Sequence, residues 1–155
     1  MKKILSVLLL SAALLSSVSV FADEAVSGGG SYVEYANVIV NGKAIEFDVQ
    51  PRIINGRTMV PMRAIFEELG ADVEWIEADE LILSTKGYKL ISMKIGNPVM
   101  YIADISQGLN TSVELETAPY LENDSITMVP LRAVSEALDA SVEWDEATYT
   151  VTVTL

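Results

Sequence analysis

The sequence contains no cysteine and no histidine. Without cysteine no disulfide can form, so the stability of the fold has to come from packing. The usual protein ligands for zinc and copper are also missing. Nucleophilic pairs of the Ser-His or Cys-His type cannot be built. These two absences argue against a zinc or copper site and against a serine or cysteine hydrolase.

Positive charge is scarce. The chain has 10 Lys and Arg against 22 Asp and Glu, which gives a net charge of −12. Such a surface repels phosphate backbones and anionic lipid head groups. We therefore expect no nucleic-acid partner and, once the N-terminal segment is removed, no membrane partner. The same charge suits a soluble protein of the cell exterior.

The first residues have the pattern of a signal peptide. Lys2 and Lys3 precede an apolar stretch over residues 4–15, and the segment 16–22 ends at Ala22, a small residue suited to cleavage. We predict a signal peptide over residues 1–22 and a flexible, glycine-containing linker over residues 23–35. No later run approaches the roughly 18 apolar residues of a membrane helix. The expected location is secreted, or associated with the cell wall or cell surface.

An internal repeat organises the rest of the chain, residues 36–155. The segment 58–75 recurs 69 positions later as the segment 127–144, with Thr-Met-Val-Pro, Arg-Ala and Val-Glu-Trp kept in both. Matches of this length indicate two copies of one supersecondary unit. We place repeat one at about 36–86 and repeat two at about 87–155.

Each copy predicts one short helix. Pro61 and Pro130 are expected at the first helical turn, where a missing N–H has no cost. Apolar residues then follow at helical spacing, namely Met62, Ile65, Phe66 and Leu69 in copy one and Leu131, Val134 and Leu138 in copy two. Gly70 is expected to end the first helix with a positive φ, and Asp139 takes its place in the second.

Hairpins are predicted on both sides of each helix. Asn41-Gly42 has the two residue types that a type I′ turn favours, between strands over residues 38–47. Val73 and Trp75 share one strand face after the first helix. Residues 103–112 are predicted to form a mobile loop. The expected fold class is α+β, with two β-hairpin–helix–β-hairpin repeats whose antiparallel sheets pack around two short helices.

The repeated motif resembles a known family. Asn-Gly-Arg-Thr-Met-Val-Pro-Met-Arg-Ala at 55–64, followed by Glu-Glu-Leu-Gly-Ala and Val-Glu-Trp, is similar to the copper amine oxidase N-terminal-like domain, also called the stalk domain. The resemblance covers residues 38–155. It implies an exported module that lies apart from any catalytic centre. The copper ligands of the oxidases are histidines of another domain, so the resemblance implies no cofactor here.

Arg63 and Arg132 are charged residues kept in both copies. Glu67 and Glu136 lie four residues further on, within reach on the same helix face. We expect two helix-surface ion pairs, with Arg stems that can lie over the tryptophans. The alternative is a pair of anion-binding arginines.

Trp75 and Trp144 also recur in both copies. A tryptophan that shares a strand face with valine is usually part of the core, and this is what we predict. The alternative is a pair of platforms on which sugars stack. The structural repeat motif therefore consists of Pro61, Arg63, Trp75, Pro130, Arg132 and Trp144.

These features predict a non-catalytic structural or interaction module of the bacterial cell exterior, whose partner is a cell-wall polymer or an exported protein. The sequence identifies no ligand-binding residue. One alternative is a wall-glycan hydrolase that uses a pair of carboxylates. Another is a calcium-dependent adhesive domain, although the EF-hand spacing is absent.

Overall fold

A computed structural model describes residues 34–155, and the predicted signal peptide and all but the last two linker residues lie outside that range. Two α-helices and fourteen strands make up the described part. The strands before the first helix are β1 (Glu34–Tyr35), β2 (Asn37–Val40), β3 (Lys43–Ala44), β4 (Arg52–Ile54) and β5 (Arg57–Pro61). The first helix is α1 (Met62–Glu68).

The elements between the two helices are mostly hairpins. They are β6 (Asp72–Ile76), a 3₁₀ turn (Glu77–Asp79), β7 (Leu81–Lys86), β8 (Lys89–Lys94), β9 (Val99–Asp104), β10 (Leu109–Glu114), β11 (Tyr120–Glu122) and β12 (Ile126–Pro130). The chain continues with α2 (Leu131–Ala137), β13 (Ser141–Asp145) and β14 (Thr150–Thr154). The protein is thus α+β and mainly sheet.

The strands form three sheets. Their orders are β1-β4-β5-β12-β11, β10-β9-β8-β7-β6 and β13-β14-β2-β3. All neighbours are antiparallel except β14 and β2, which are parallel. Each of the three sheets contains strands from both sequence repeats. This mixing departs from two self-contained hairpin–helix–hairpin units.

The first sheet has an approximate two-fold axis at its centre. Strands β5 and β12 are equivalent in the repeat, and they pair with Val60 opposite Val129. On one side of this pair Met59 lies opposite Pro130, and on the other side Pro61 lies opposite Met128. Exchanging the two copies leaves this pattern of pairs unchanged. Val60 and Val129 are both fully buried. The two copies therefore meet through identical residues of their repeated motif.

The outer sheets exchange strands between the copies. Strand β14, at the end of copy two, pairs in parallel with β2 at the start of copy one. Strand β7, at the end of copy one, pairs with β8, which pairs with β9. Both pairings are antiparallel, so β7 and β9 run parallel with β8 inserted between them. Neither copy completes its sheet without the other.

The predicted helical stripes are confirmed as core. Ile65, Phe66 and Leu69 of the first stripe are fully buried, as is Val134 of the second. They pack with Val38 and Val40 of β2, Ile82 of β7, Ile91 and Met93 of β8, and Val151 and Val153 of β14 in one cluster. The helices are short, so this burial stabilises them more than helix propensity does.

The helix ends follow the prediction, and the starts differ by one residue. Gly70 and Asp139 have φ of 71° and 66°, and Ala71 N–H donates to the Phe66 carbonyl at 2.9 Å. This is the left-handed closure that glycine favours. Pro61 and Pro130, by contrast, are the last residues of β5 and β12 and cap the helices from outside. Their ψ angles of 122° and 112° are extended.

The predicted loop over residues 103–112 is wrong. Most of it belongs to a regular hairpin, in which β9 and β10 pair over six positions. The Asp104 carboxylate accepts bonds from the Ser106 hydroxyl at 2.6 Å and the Ser106 N–H at 3.0 Å, and it also binds Gln107. The hydrogen bond from the Ser106 hydroxyl lowers the pKa of Asp104, whereas burial acts in the opposite direction and raises it. A capped turn therefore replaces the expected loop.

Candidate functional site

Two grooves contain the six residues of the repeat motif. One, of about 650 Å³, is lined by Pro130, Arg132 and Trp144, and we call it the Trp144 groove. The other, of about 800 Å³, is lined by Pro61, Arg63 and Trp75, and we call it the Trp75 groove. The approximate two-fold axis of the first sheet relates one groove to the other. The repeat thus produces a pair of surface concavities as well as a scaffold.

Each groove needs both copies. The Trp144 groove takes its helix, its tryptophan and residues 113–117 from copy two, whereas Ile53, Arg57 and Thr58 come from copy one. The Trp75 groove has the inverse composition, with residues 46–49 from copy one and Leu121 and Thr127 from copy two. Because the β4-β5 hairpin of copy one lines the groove beside α2, and the β11-β12 hairpin of copy two lines the groove beside α1, a single copy cannot form either groove.

Trp144 is not a core residue, and the prediction for it is wrong. It is 39 % exposed and lines its groove, and its ring meets that of Tyr149 edge to face, with centroids 5.8 Å apart and an angle of 86°. Such a contact fixes the orientation of an aromatic ring. Trp75 is half-buried and packs against the core, as predicted. The two tryptophans therefore serve different purposes.

The two arginines differ as well. Arg132 donates to the Val142 carbonyl at 3.1 Å and lies 3.5 Å from Glu136, which confirms the predicted pair in copy two. No corresponding pair joins Arg63 to Glu67 among the ion pairs of residues 34–155. Arg132 is thus held between α2 and β13, close to Trp144 in sequence and in the same groove.

Arg57 is a groove residue that sequence reasoning missed. It forms an ion pair with Glu116 across the Trp144 groove. Glu116 lies in the segment 113–117, Val-Glu-Leu-Glu-Thr, which matches Ile-Glu-Phe-Asp-Val at 45–49 with an offset of 68. That match is readable in the sequence and extends the repeat upstream. It could have indicated that both segments have the same place beside their grooves.

Charge separates the two grooves. Two arginines, Arg57 and Arg132, offset most of the three glutamates that line the Trp144 groove. The Trp75 groove has Arg63 as its single cation among six carboxylates, which are Glu46, Asp48, Glu67, Glu77, Glu80 and Asp124. The Trp144 groove is close to neutral and has Met100, Ile102 and Leu115 among its apolar lining residues. The two grooves therefore suit different ligands.

Comparison with known proteins agrees with the resemblance of the motif. The family model of the copper amine oxidase N-terminal domain matches residues 39–154. The chain belongs to this family. It is a stalk-like, non-catalytic domain family, and membership is consistent with a structural module. No curated protein and no solved structure matches the chain.

The described residues of this copper amine oxidase N-terminal domain lack two kinds of feature. Within residues 34–155, no group of three or more Asp or Glu side chains is close enough to hold a metal ion. No helix in that range has the length and apolar character of a membrane span.

Proposed function

We propose that this chain is an exported, non-catalytic interaction module of the bacterial cell exterior that contacts a cell-wall polymer through the Trp144 groove. The observation that carries the proposal is the position of Trp144. Its indole is partly exposed, contacts the ring of Tyr149, and lies in a concave, nearly neutral surface. Export follows from the signal-peptide pattern of residues 1–22.

The chemistry of the groove suits a glycan. A partly exposed indole ring can stack against the apolar face of a sugar ring, and it loses little entropy because Tyr149 already orients it. Arg132 and Arg57 provide N–H donors for hydroxyl, amide or carboxylate oxygens. Apolar lining residues and a few fixed polar groups are the usual composition of a ligand site.

The Trp75 groove fits this role less well. Its six carboxylates outnumber its single arginine, so the groove repels the anionic groups that many wall polymers carry. Its tryptophan is half-buried and packs against the core. We therefore assign polymer contact to one groove only.

The Trp144 groove gives little support to glycan hydrolysis by a pair of carboxylates. Glu116 is paired with Arg57, and Glu136 lies 3.5 Å from Arg132. Both carboxylates are already engaged by guanidinium groups, so they do not form the unpaired pair of carboxyl groups that glycoside hydrolysis uses. This is why the proposal is a binding module and not a wall-glycan hydrolase.

Retention on purified cell-wall material tests the proposal. We expect Trp144→Ala to weaken retention by about tenfold or more, because the loss of a central aromatic contact commonly costs over ~1.4 kcal/mol. The equivalent Trp75→Ala change is the matched control, and it should alter retention little if the variant remains folded by circular dichroism. Equal retention of Trp144→Ala and the parent chain would refute the assignment.

A protein partner in the wall is the alternative that this assay must separate. Wall material is therefore treated in advance either with a protease or with a glycan-cleaving enzyme. Polymer contact predicts that retention survives the protease and is lost after glycan cleavage. The opposite pattern would identify an exported protein as the partner and overturn polymer contact.

A further inference from the structure

Strand β10 (Leu109–Glu114) is an open edge of the second sheet. It pairs with β9 on one side, and no described strand pairs with its other side. All six of its residues are exposed. Leu109 and Val113 are 55 % and 39 % exposed, so the strand extends beyond the core that covers its neighbours. Backbone groups on the open side are available for pairing.

The direction of those backbone groups follows from one hydrogen bond. Leu115 N–H donates to the Pro98 carbonyl at 2.6 Å, which continues the β9-β10 ladder. In an antiparallel ladder, every second residue directs both its N–H and its C=O to the same neighbour. Leu109, Thr111 and Val113 therefore bond to β9. Asn110, Ser112 and Glu114 direct their N–H and C=O groups outward.

The edge lacks the features that usually prevent strand addition. Natural edges are protected by proline, lysine, bulges or very short strands. Strand β10 has six residues with the sequence Leu-Asn-Thr-Ser-Val-Glu, in regular register with β9 and with one charge. By comparison, β3 at the edge of the third sheet has two residues and includes Lys43.

We propose that β10 pairs in antiparallel orientation with β10 of a second copy of this chain, with Ser112 opposite Ser112 across a two-fold axis. In this register Asn110 faces Glu114 of the second copy, and all three outward residues of each strand lie in hydrogen-bonded pairs. Thr111 faces Val113 on the core side of the sheet. Six N–H···O=C bonds would join two five-stranded sheets into one.

Charge restricts self-association to surfaces such as β10 and favours this register. A chain of net charge −12 repels a second copy over most of its surface. Strand β10 has a single carboxylate, Glu114. The register places it opposite the side-chain amide of Asn110 and not opposite Glu114 of the second copy. Val113 and Glu114 also line the Trp144 groove, so pairing brings two such grooves close to one axis. Two linked grooves would bind a polymer more tightly than either alone.

Single cysteines test the register, since the chain has no cysteine of its own. A hydrogen-bonded antiparallel pair has a Cα separation of about 5.5 Å, within the range that a disulfide spans. Under mild oxidation of the full chain, Ser112→Cys should cross-link at least about tenfold faster than Asn110→Cys, whose two copies lie about 14 Å apart. Comparable rates, or no cross-linked dimer, would overturn the proposal.

Sedimentation equilibrium then tests pairing without a cross-link. The parent chain should approach twice its monomer mass as its concentration rises from micromolar to millimolar. Ser112→Lys places two like charges at the axis without a change to the β9-β10 bonds, and it should remain monomeric. Ser141→Lys, an exposed serine on the edge strand β13, is the matched control and should dimerise like the parent. A parent that stays monomeric throughout, or equal masses for the two variants, would contradict the proposal.

Discussion

Val60 and Val129 face each other where the two copies of the repeat meet. They occupy equivalent positions 69 residues apart, and both have no exposed surface. If an approximate two-fold axis passes between them, the protein should not distinguish one from the other. We therefore predict that Val60→Ala and Val129→Ala destabilise the fold by the same amount.

The expected cost follows from burial. Each change removes two carbon atoms from the core, which is about 1.6 kcal/mol of transfer free energy at ~0.8 kcal/mol per buried CH₂. A residual cavity of roughly 40 Å³ adds about 1 kcal/mol at ~24 cal/mol per Å³. Each variant should thus lose about 2.5 kcal/mol of unfolding free energy. The valines are direct neighbours, so the double variant should differ from additivity by about 0.5–1 kcal/mol.

Urea unfolding followed by tryptophan fluorescence measures these differences. The control is Val113→Ala, at a valine that is 39 % exposed, and its cost should be below ~0.5 kcal/mol. A cost above ~2 kcal/mol for one of the two central valines and below ~0.5 kcal/mol for the other would refute the symmetric junction. Strict additivity would show that the two side chains do not share one site.

Three further changes test other parts of the fold. Arg52→Met leaves the buried Glu122 without its partner at 3.0 Å and should cost about 2–3 kcal/mol in urea unfolding. Gly70→Ala meets no atom within 4 Å, so its cost of about 1–2 kcal/mol should come from φ alone, which Gly70→Asn would largely avoid. Burial and the Glu122 charge raise the pKa of Tyr120, so the folded state favours the neutral phenol. The stability that this preference contributes is fully present below pH ~10 and is lost as pH rises through the folded-state pKa. Tyr120→Phe should reduce the alkaline loss of stability, and an unchanged pH profile would contradict this.

Local signals in the sequence predicted local structure correctly. Asn41 and Gly42 have the positive φ angles of 49° and 81° that their turn requires. Gly70 ends its helix as expected, and the two apolar stripes are buried. These features depend on residues within a few positions of each other, so periodicity and turn chemistry were sufficient to predict them.

The pairing of strands that lie far apart in the chain could not be predicted from the sequence. Nothing in residues 37–40 indicates a parallel partner more than a hundred residues away in β14. The sequence predicts a loop over residues 103–112, where Gly108 and several polar residues interrupt the apolar pattern, whereas Asp104 in fact caps a tight turn. Hydrogen bonds of one side chain decided the structure there, and a periodicity argument does not consider them.

The site was half predictable. The repeat identified all six motif residues, and the structure places three in each groove. It gave no reason for Trp144 to be exposed while Trp75 packs against the core. Trp144 also contacts Tyr149 at the molecular surface, and such a contact depends on how β13 and β14 meet.

The most direct test of the central claim uses the two tryptophans as reporters. Trp75→Phe leaves Trp144 as the one indole of the chain, and Trp144→Phe leaves Trp75. Each variant is titrated with soluble fragments of cell-wall glycan while its emission is recorded. The account predicts a saturable shift in emission for Trp75→Phe and none for Trp144→Phe. A shift confined to Trp144→Phe, or no shift in either variant, would contradict a binding role for the Trp144 groove.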